Sequence, residues 1–358
     1  MEKKYRILAV NPGSTSTKIG VYDGNELIFE HIVRYTSEEL AAYGGVIHQY
    51  EFRKEGIMQI LAEKGIALES LRAVVGRGGL LAPMPSGTYT VKERMLADLK
   101  AETFGSHASN LGGLLAHQLA QAAGVPAFIV DPVVVDELDP VARITGRPEI
   151  MRRSIFHALN QKAVAKRLAK DVNRSYEDLN LIVAHLGGGI SVGCHKRGRV
   201  VEVNNALDGE GPFSPERTGT VQGQQFADLI AEKGWNLGQV ARAMAGQGGL
   251  VAHLGTGDVR EVERMAAEGN ETATLVYEAL MYQVSRYIAA AAVPVKGKVD
   301  YIILTGGIAY SQQLTGKIKA NVEFIAPVVI MPGEDELQAL AEGAIRVLSG
   351  QEKAQVYA

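Results

Sequence analysis

Residues 5–33, YRILAVNPGSTSTKIGVYDGNELIFEHIV, and residues 181–203, LIVAHLGGGISVGCHKRGRVVEV, carry one pattern twice. In the first, an apolar run (5–10) stops at Asn11-Pro12-Gly13. A second run (18–22) enters the turn Asp23-Gly24-Asn25, and a third (26–33) follows. In the second, residues 181–186 stop at Gly187-Gly188-Gly189, residues 191–195 enter a turn at 196–198, and 199–203 complete the unit. Short β-branched runs punctuated by Gly, Asn and Asp read as strand, polar loop, strand, tight turn, strand. The repetition predicts two halves built alike.

Outward from these units, residues 73–75 and 127–130 read as short strands between helical stretches, 272–292 as a long helix, and 300–304 as a strand running into Thr305-Gly306-Gly307 and another helix. Such alternation indicates α/β layers. A linking helix over 149–170 places the domain junction near its start, giving an N-terminal domain 1–152 and a C-terminal domain 153–358, with the final helix able to pack back on the first. Two such halves are expected to leave a ligand cleft between them.

A chain of 358 residues exceeds what one core usually supports, and 46% apolar with 22% charged residues is the balance of a globular protein. A formal charge of −3 gives no general attraction for nucleic acid or anionic lipid, so an anionic ligand must be held by a local arrangement. The single cysteine, Cys194, has no internal partner, Met-Glu-Lys-Lys leads into an apolar run too short for a signal peptide, and the most apolar later stretch, 287–295, is half a membrane span and contains Pro294. A cytoplasmic protein acting on small molecules, with no nucleic acid or membrane partner, is expected.

Three loops carry chemistry. N-P-G-S-T-S-T-K (11–18) gathers a glycine, hydroxyls, an amide and a lysine in one turn after a buried strand, a set that can wrap a phosphate, although an ordinary polar turn has the same composition. H-L-G-G-G-I-S (185–191) is its counterpart, and a glycine run after a strand also serves close packing. L-T-G-G-I-A-Y-S (304–311) suits a nucleoside passing over backbone, or a plain strand-to-helix turn. G-I-S-V-G (189–193) matches the serine-hydrolase pattern, but a strand follows it where that chemistry needs a helix. No P-loop pattern occurs in the chain.

In this order on a duplicated strand unit, the three sites resemble the two phosphate loops and the adenosine loop of the superfamily of acetate and sugar kinases, heat-shock cognates and actin. Within it the chain is similar to the carboxylate kinases of the acetokinase family, on N-P-G-S-T-S-T-K and A-H-L-G-G-G-I-S (184–191). The resemblance spans essentially the whole chain and implies an α/β fold of two duplicated actin-like (ribonuclease H-like) domains with an interdomain active-site cleft. R-R-S-I-F-H (152–157), F-S-P-E-R-T-G (213–219) and G-T-G-D-V-R (255–260), with the shorter second half, look more like butyrate kinases than acetate kinases.

The resemblance implies roles residue by residue. Asn11 and Glu336 would organise Mg²⁺. Ser14, Ser16, Lys18, His185, Gly187, Gly188 and Gly189 would meet the phosphates of ATP or ADP, and Asp258, Arg260, Gly306, Gly307 and Ser311 the adenosine side. Arg77 and His107 would bind the carboxylate, and Asp131, His157, Arg77 and Arg217 would be catalytic, Arg217 being the nearest candidate for a second arginine. The implied reaction is reversible, direct in-line transfer between ATP and butyrate or a branched short-chain fatty acid, giving ADP and the acyl phosphate, in a homodimer or higher homo-oligomer. After Asp131 the chain reads Pro132-Val133-Val134-Val135, a departure from the acetate-kinase pattern.

A fatty carboxylate, with a pKa of roughly 4.3 by analogy with Glu, is already ionised at neutral pH and needs no general base. The difficulty is repulsion between that anion and the triphosphate, which calls for Mg²⁺, arginine and histidine donors and makes Asp131 an organiser of metal or water. Domain closure is expected, because water would compete for the phosphoryl group. A nucleotide-dependent regulatory or chaperone-like protein is the alternative class, one with no need of Arg77 and His157.

Overall fold

The computed structural model describes residues 5–358, the side chain of Ser37 aside, so the Met-Glu-Lys-Lys segment of the signal-peptide reading lies outside the described residues. Its twelve strands are β1 (Arg6–Pro12), β2 (Ser16–Asp23), β3 (Glu26–Arg34), β4 (Ala73–Arg77), β5 (Thr88–Thr90), β6 (Ala127–Val130), β7 (Asn180–Leu186), β8 (Ile190–Lys196), β9 (Arg199–Val203), β10 (Tyr301–Gly306), β11 (Val328–Pro332) and β12 (Gln355–Val356). They form one sheet ordered β12-β5-β6-β4-β1-β2-β3 and another ordered β11-β10-β7-β8-β9.

The duplication is explicit in the pairing. In the first sheet β6 runs parallel to β4 and β4 parallel to β1, after which β1, β2 and β3 alternate in direction. The second sheet repeats this with β11, β10, β7, β8 and β9. The first two of the three loops singled out from the sequence sit at the first hairpin of their unit: Pro12 pairs with Thr17, and Leu186 with Ile190.

Each sheet is covered on its faces by helices. Along β7, Ile182 and Ala184 join the core of helix Glu271–Ala290, whose Tyr277, Leu280, Met281, Val284 and Ile288 recur at helical spacing. Leu181 and Val183 point to the opposite face, against Val164, Ala165 and Leu168 of helix Ala158–Asp171. In the first sheet, helix Asn110–Ala123 approaches β4 so closely that a side chain at Gly76 would strike the Gly112 carbonyl, and one at Gly112 the Arg77 carbonyl. Paired glycines thus seat the strand end that carries Arg77.

The chain divides into two compact units, one of the described residues through Val135 with Asp335–Ala358, the other Asp136–Glu334. The sequence had placed the boundary at 152/153. Residues 136–152 belong with the second unit because Asp139 N donates to Val201 O, Lys162 bonds Glu137 at 2.7 Å, and Arg152 bonds both Glu202 and Glu210 at 2.6 Å. Those contacts hold the segment irregular, so the linking helix expected from 149 begins only at Ala158, with His157 as its N-cap. The C-terminal residues belong with the first unit: helix Glu336–Leu348 buries Leu337, Leu340 and Ala344, β12 pairs β5, and Tyr357 OH donates to Asp98 at 2.9 Å. Among the described residues no helix is long and apolar enough to cross a membrane.

Candidate active site

In the first unit the loop between β1 and β2 is held from beneath by Arg53, a residue the sequence reading missed. Its guanidinium, fully buried, donates to the carbonyls of Gly13 (2.8 Å), Ser14 (2.8 Å) and Ser16 (2.9 Å) and to Thr17 Oγ1 (3.2 Å). Gln49 Oε1 accepts from the same fork at 2.7 Å, and the Tyr35 ring lies under it at 4.8 Å. With these carbonyls engaged inward, Ser14 and Thr15 remain at the surface. Burial lowers the Arg53 pKa, an effect Tyr35 opposes, yet an arginine stays charged. An arginine within a helix normally reads as solvated surface, so only its fourfold bonding to one loop reveals it.

Lys18, expected at the phosphates, pairs with Glu30 on neighbouring β3 at 2.8 Å, because cross-strand neighbours on one face meet. At the end of β4, Arg77 Nη1 lies 3.2 Å from Glu336 Oε2 and 3.5 Å from Asn11 Oδ1, and Asn11 Nδ2 donates to the same Glu336 oxygen. Three residues implied by the resemblance therefore form one cluster. Glu336 opens helix Glu336–Leu348, where a carboxylate complements the helix dipole. His107 is tied to this region through its neighbour Asn110, whose Oδ1 accepts from Leu80 N at 2.8 Å, just beyond Arg77. His107 Nδ1 accepts from Ser109 N at 3.2 Å.

Asp131 occupies a left-handed conformation (φ 38°) at the end of β6, one that Asp tolerates better than most residues. Its buried carboxylate accepts from Ser86 Oγ at 2.6 Å and Gly87 N at 2.8 Å. In this arrangement Asp131 fastens the loop before β5.

In the second unit the Gly187–Gly189 turn is clasped by the segment 213–219. Ser214 Oγ donates to Gly188 O at 2.6 Å, Glu216 N to the same oxygen at 3.3 Å, and the half-buried Arg217 guanidinium lies so close over Gly189 that a side chain there would strike it. Arg217 also donates to Ala206 O. Beside the turn is a cavity of about 710 Å³ whose lining includes Gly188, Asp258, Arg260, Gly307 and Ser311, together with Pro215, Glu216, Glu263 and Tyr310. The structure thus brings the Gly187–Gly189 turn and the adenosine candidates together and adds Glu263, whose Oε1 accepts from both Tyr277 OH and Ser311 Oγ at 2.5 Å. Burial, then Glu263, raises the Tyr277 pKa. Gly306, next to Gly307, adopts φ 91° against Leu186. Asp258 caps helix Val259–Ala267 and grips Arg260 at 2.6 and 3.0 Å, which holds its carboxyl at about 2.

His157 and His185 stack nearly parallel, with centroids 3.8 Å apart and planes at 9°. His157 Nδ1 is 2.9 Å from Ser191 Oγ, and His185 Nδ1 is 2.8 Å from Asn160 Oδ1. No spacing in the sequence foretold that stack.

A duplicated α/β scaffold of actin-like topology, with a glycine turn beside a cavity of about 710 Å³, is the architecture of a nucleotide-dependent protein of the actin-like fold. Residues 141–326 match the model of the acetokinase family. The chain belongs to that family of carboxylate kinases, which transfer a phosphoryl group between ATP and a short-chain carboxylate. Its fold is similar to that of an acetate kinase from Porphyromonas gingivalis (18% identity, 95% of this chain and 99% of the other, TM-score 0.78). It is also similar to a propionate kinase from Francisella tularensis subsp. tularensis (18%, 94% and 98%, 0.74) and to an acetate kinase from Entamoeba histolytica (16%, 95% and 99%, 0.76). At these identities the likeness is one of fold.

Proposed function

We propose that the chain is a butyrate kinase, transferring a phosphoryl group reversibly between ATP and butyrate or a branched short-chain fatty acid. The observation that carries the acyl assignment is the packing beside Arg77: Pro132, which opens the run Pro132-Val133-Val134-Val135, lies against Gly78, so that a side chain at Gly78 would meet the proline ring. An apolar segment next to the carboxylate-binding arginine suits a chain of four or five carbons better than acetate. One methylene is worth only about 1–3 kcal/mol, so neighbouring acids should overlap as substrates.

In this reading Arg77 pairs the carboxylate, with His107 beside it, and the carboxylate attacks the γ-phosphorus directly, the bond to the ADP oxygen breaking as the acyl phosphate forms. His157 and Arg217 donate to the equatorial oxygens. Ser14, Ser16 and the Gly187–Gly189 turn hold phosphates, Lys18 joins them by leaving Glu30, and the Asp258–Arg260 pair, Gly306, Gly307 and Ser311 hold the nucleoside. Asp131 acts by positioning its loop.

Glu336 Oε2 accepts from Asn11 Nδ2 and from Arg77, so with the Asn11 amide turned to present its oxygen the two residues would offer one carboxylate and one amide oxygen, a donor set that fits Mg²⁺, which takes one or two protein oxygens and fills its shell with water and phosphate. When bound there, the metal would neutralise phosphate charge. The single cysteine, a buried thiol with its pKa pushed up to about 12 chiefly by burial, supports a cytoplasmic setting. Exposed Leu275 and Tyr282, two turns apart on one helix face, support a homodimer.

The test is Mg²⁺- and ATP-dependent acyl-hydroxamate formation across acetate, propionate, butyrate, isobutyrate and isovalerate. A maximum at four or five carbons supports the proposal, and a maximum at acetate rejects it.

A further inference from the structure

We propose that Ser191 and Gln161 are positioning residues that fix His157 as the tautomer protonated at Nε2. The proposal rests on the kinase reading only for what that proton then does. The hydrogen-bond count closes in one way. The Ser191 carbonyl can only accept, and Gln161 Nε2 lies 3.0 Å from it, so the amide nitrogen of Gln161 must face β8. Gln161 Oε1 therefore faces the other way, 3.0 Å from His195 Nε2, which must carry a proton. His195 Nδ1 is then an acceptor and receives the Tyr176 hydroxyl proton at 2.7 Å.

On the other side, Gln161 Nε2 also donates to Ser191 Oγ at 2.8 Å, and the backbone N–H of His157 reaches that oxygen weakly at 3.5 Å. With those donors on its oxygen, and with no water reaching a fully buried side chain, the hydroxyl proton needs an acceptor of its own. Its one proton is left for His157 Nδ1, 2.9 Å away. An Nδ1 that accepts leaves the ring proton on Nε2.

Ser191, Gln161 and His195 are fully buried and Tyr176 nearly so, so water does not compete for these bonds. Protonation does not scramble the chain from its far end either, because burial, and secondarily the Lys162 charge, keep His195 neutral. The stacked partner is held separately: Asn160 donates to the carbonyls of Gly333 and Glu334, which turns its oxygen to His185 Nδ1. In the kinase reading, an Nε2–H on His157 offers a hydrogen bond to a phosphoryl oxygen, whereas the other tautomer would present a lone pair to an anion.

The experiment is two-bond ¹⁵N–¹H NMR of the full chain labelled in histidine, which reads each tautomer directly. The wild type should show His157 with an acceptor-type Nδ1 and a protonated Nε2. Ser191→Ala should mix the tautomers and lower kcat about tenfold or more, with KM for ATP held within about threefold. Gln161→Leu should likewise mix them, and serves if Ser191→Ala does not fold. Tyr176→Phe, which also loses a buried hydrogen bond, should leave the His157 tautomer unchanged, because the Ser191 carbonyl still orients Gln161. A wild-type His157 protonated at Nδ1, or an unchanged tautomer in either folded variant, overturns the proposal. The expected tautomers in a protein that forms no acyl phosphate would uphold the relay and reject the kinase reading instead.

Discussion

The Arg77 guanidinium donates to Glu336 Oε2 at 3.2 Å, joining the end of β4 to the first turn of a helix 259 residues later in the chain. The pair keeps the arginine partly exposed, its side chain 25% accessible, and oriented before any substrate arrives. Arg77→Ala should lower kcat/KM for the carboxylate roughly a hundredfold, the share of one preorganised charged donor, while KM for ATP changes little. Initial rates with each substrate varied in turn separate the two effects, and an equal loss for both would show that Arg77 does not single out the acid.

Arg53 satisfies three loop carbonyls with one rigid fork. Arg53→Met should therefore cost about 2–4 kcal/mol by urea unfolding, since buried acceptors lose their donors. KM for ATP should rise as the loop loosens. Arg53→Lys should recover only part of either, because an ammonium cannot reproduce the planar fork. Full recovery by lysine would mean that charge, not geometry, holds the loop.

His195 makes stability depend on pH with a defined sign. Its folded pKa lies well below the ordinary value, so between about pH 6.5 and that lower value the unfolded chain binds the additional proton. The stabilisation is complete above about pH 6.5 and is lost as pH falls toward the folded pKa, by at most ~1.4 kcal/mol per pH unit from this residue. Urea unfolding at successive pH values should show the slope in the wild type and its reduction in His195→Gln. Identical slopes would place the titration elsewhere.

Glu263 lines the cavity and accepts the Tyr277 and Ser311 hydroxyls, an acidic residue within reach of a nucleoside's own hydroxyls. Glu263→Ala should raise KM for ATP about tenfold with kcat within about twofold, the signature of lost uniform binding. Calorimetric titration of ADP checks this without turnover, and unchanged ADP affinity would exclude Glu263 from the nucleotide site.

Gly112→Ala places a methyl group against the Arg77 carbonyl. Overpacking of this kind should cost about 1–3 kcal/mol and weaken carboxylate use by displacing the end of β4. Thermal unfolding and KM for butyrate measure the two consequences, and an unaltered KM would separate the packing from the site.

What the sequence by itself determined is local and periodic. Short apolar runs flanking Asn11–Lys18 and His185–Ser191 specify their hairpins, because strand pairing, turn chemistry and glycine placement act over a few residues. The order of the three glycine loops was legible for the same reason. The linking helix was misplaced because residues 149–157 have helical composition, yet Arg152 spends its donors on Glu202, Glu210 and Val203, and side-chain bonds to a sheet override propensity.

Only the tertiary structure decided the rest. Arg53 looks like any exposed helix arginine until its guanidinium is found under the β1–β2 loop, and the pairing of Lys18 with Glu30 shows only once β2 lies beside β3. The stacking of His157 on His185, the chain of bonds from Tyr176 to His157, and the meeting of Asn11, Arg77 and Glu336 all join residues far apart in sequence. Such contacts arise from the packing of whole sheets and helices, whose positions are set by burial of apolar surface throughout the chain, and no local pattern encodes them.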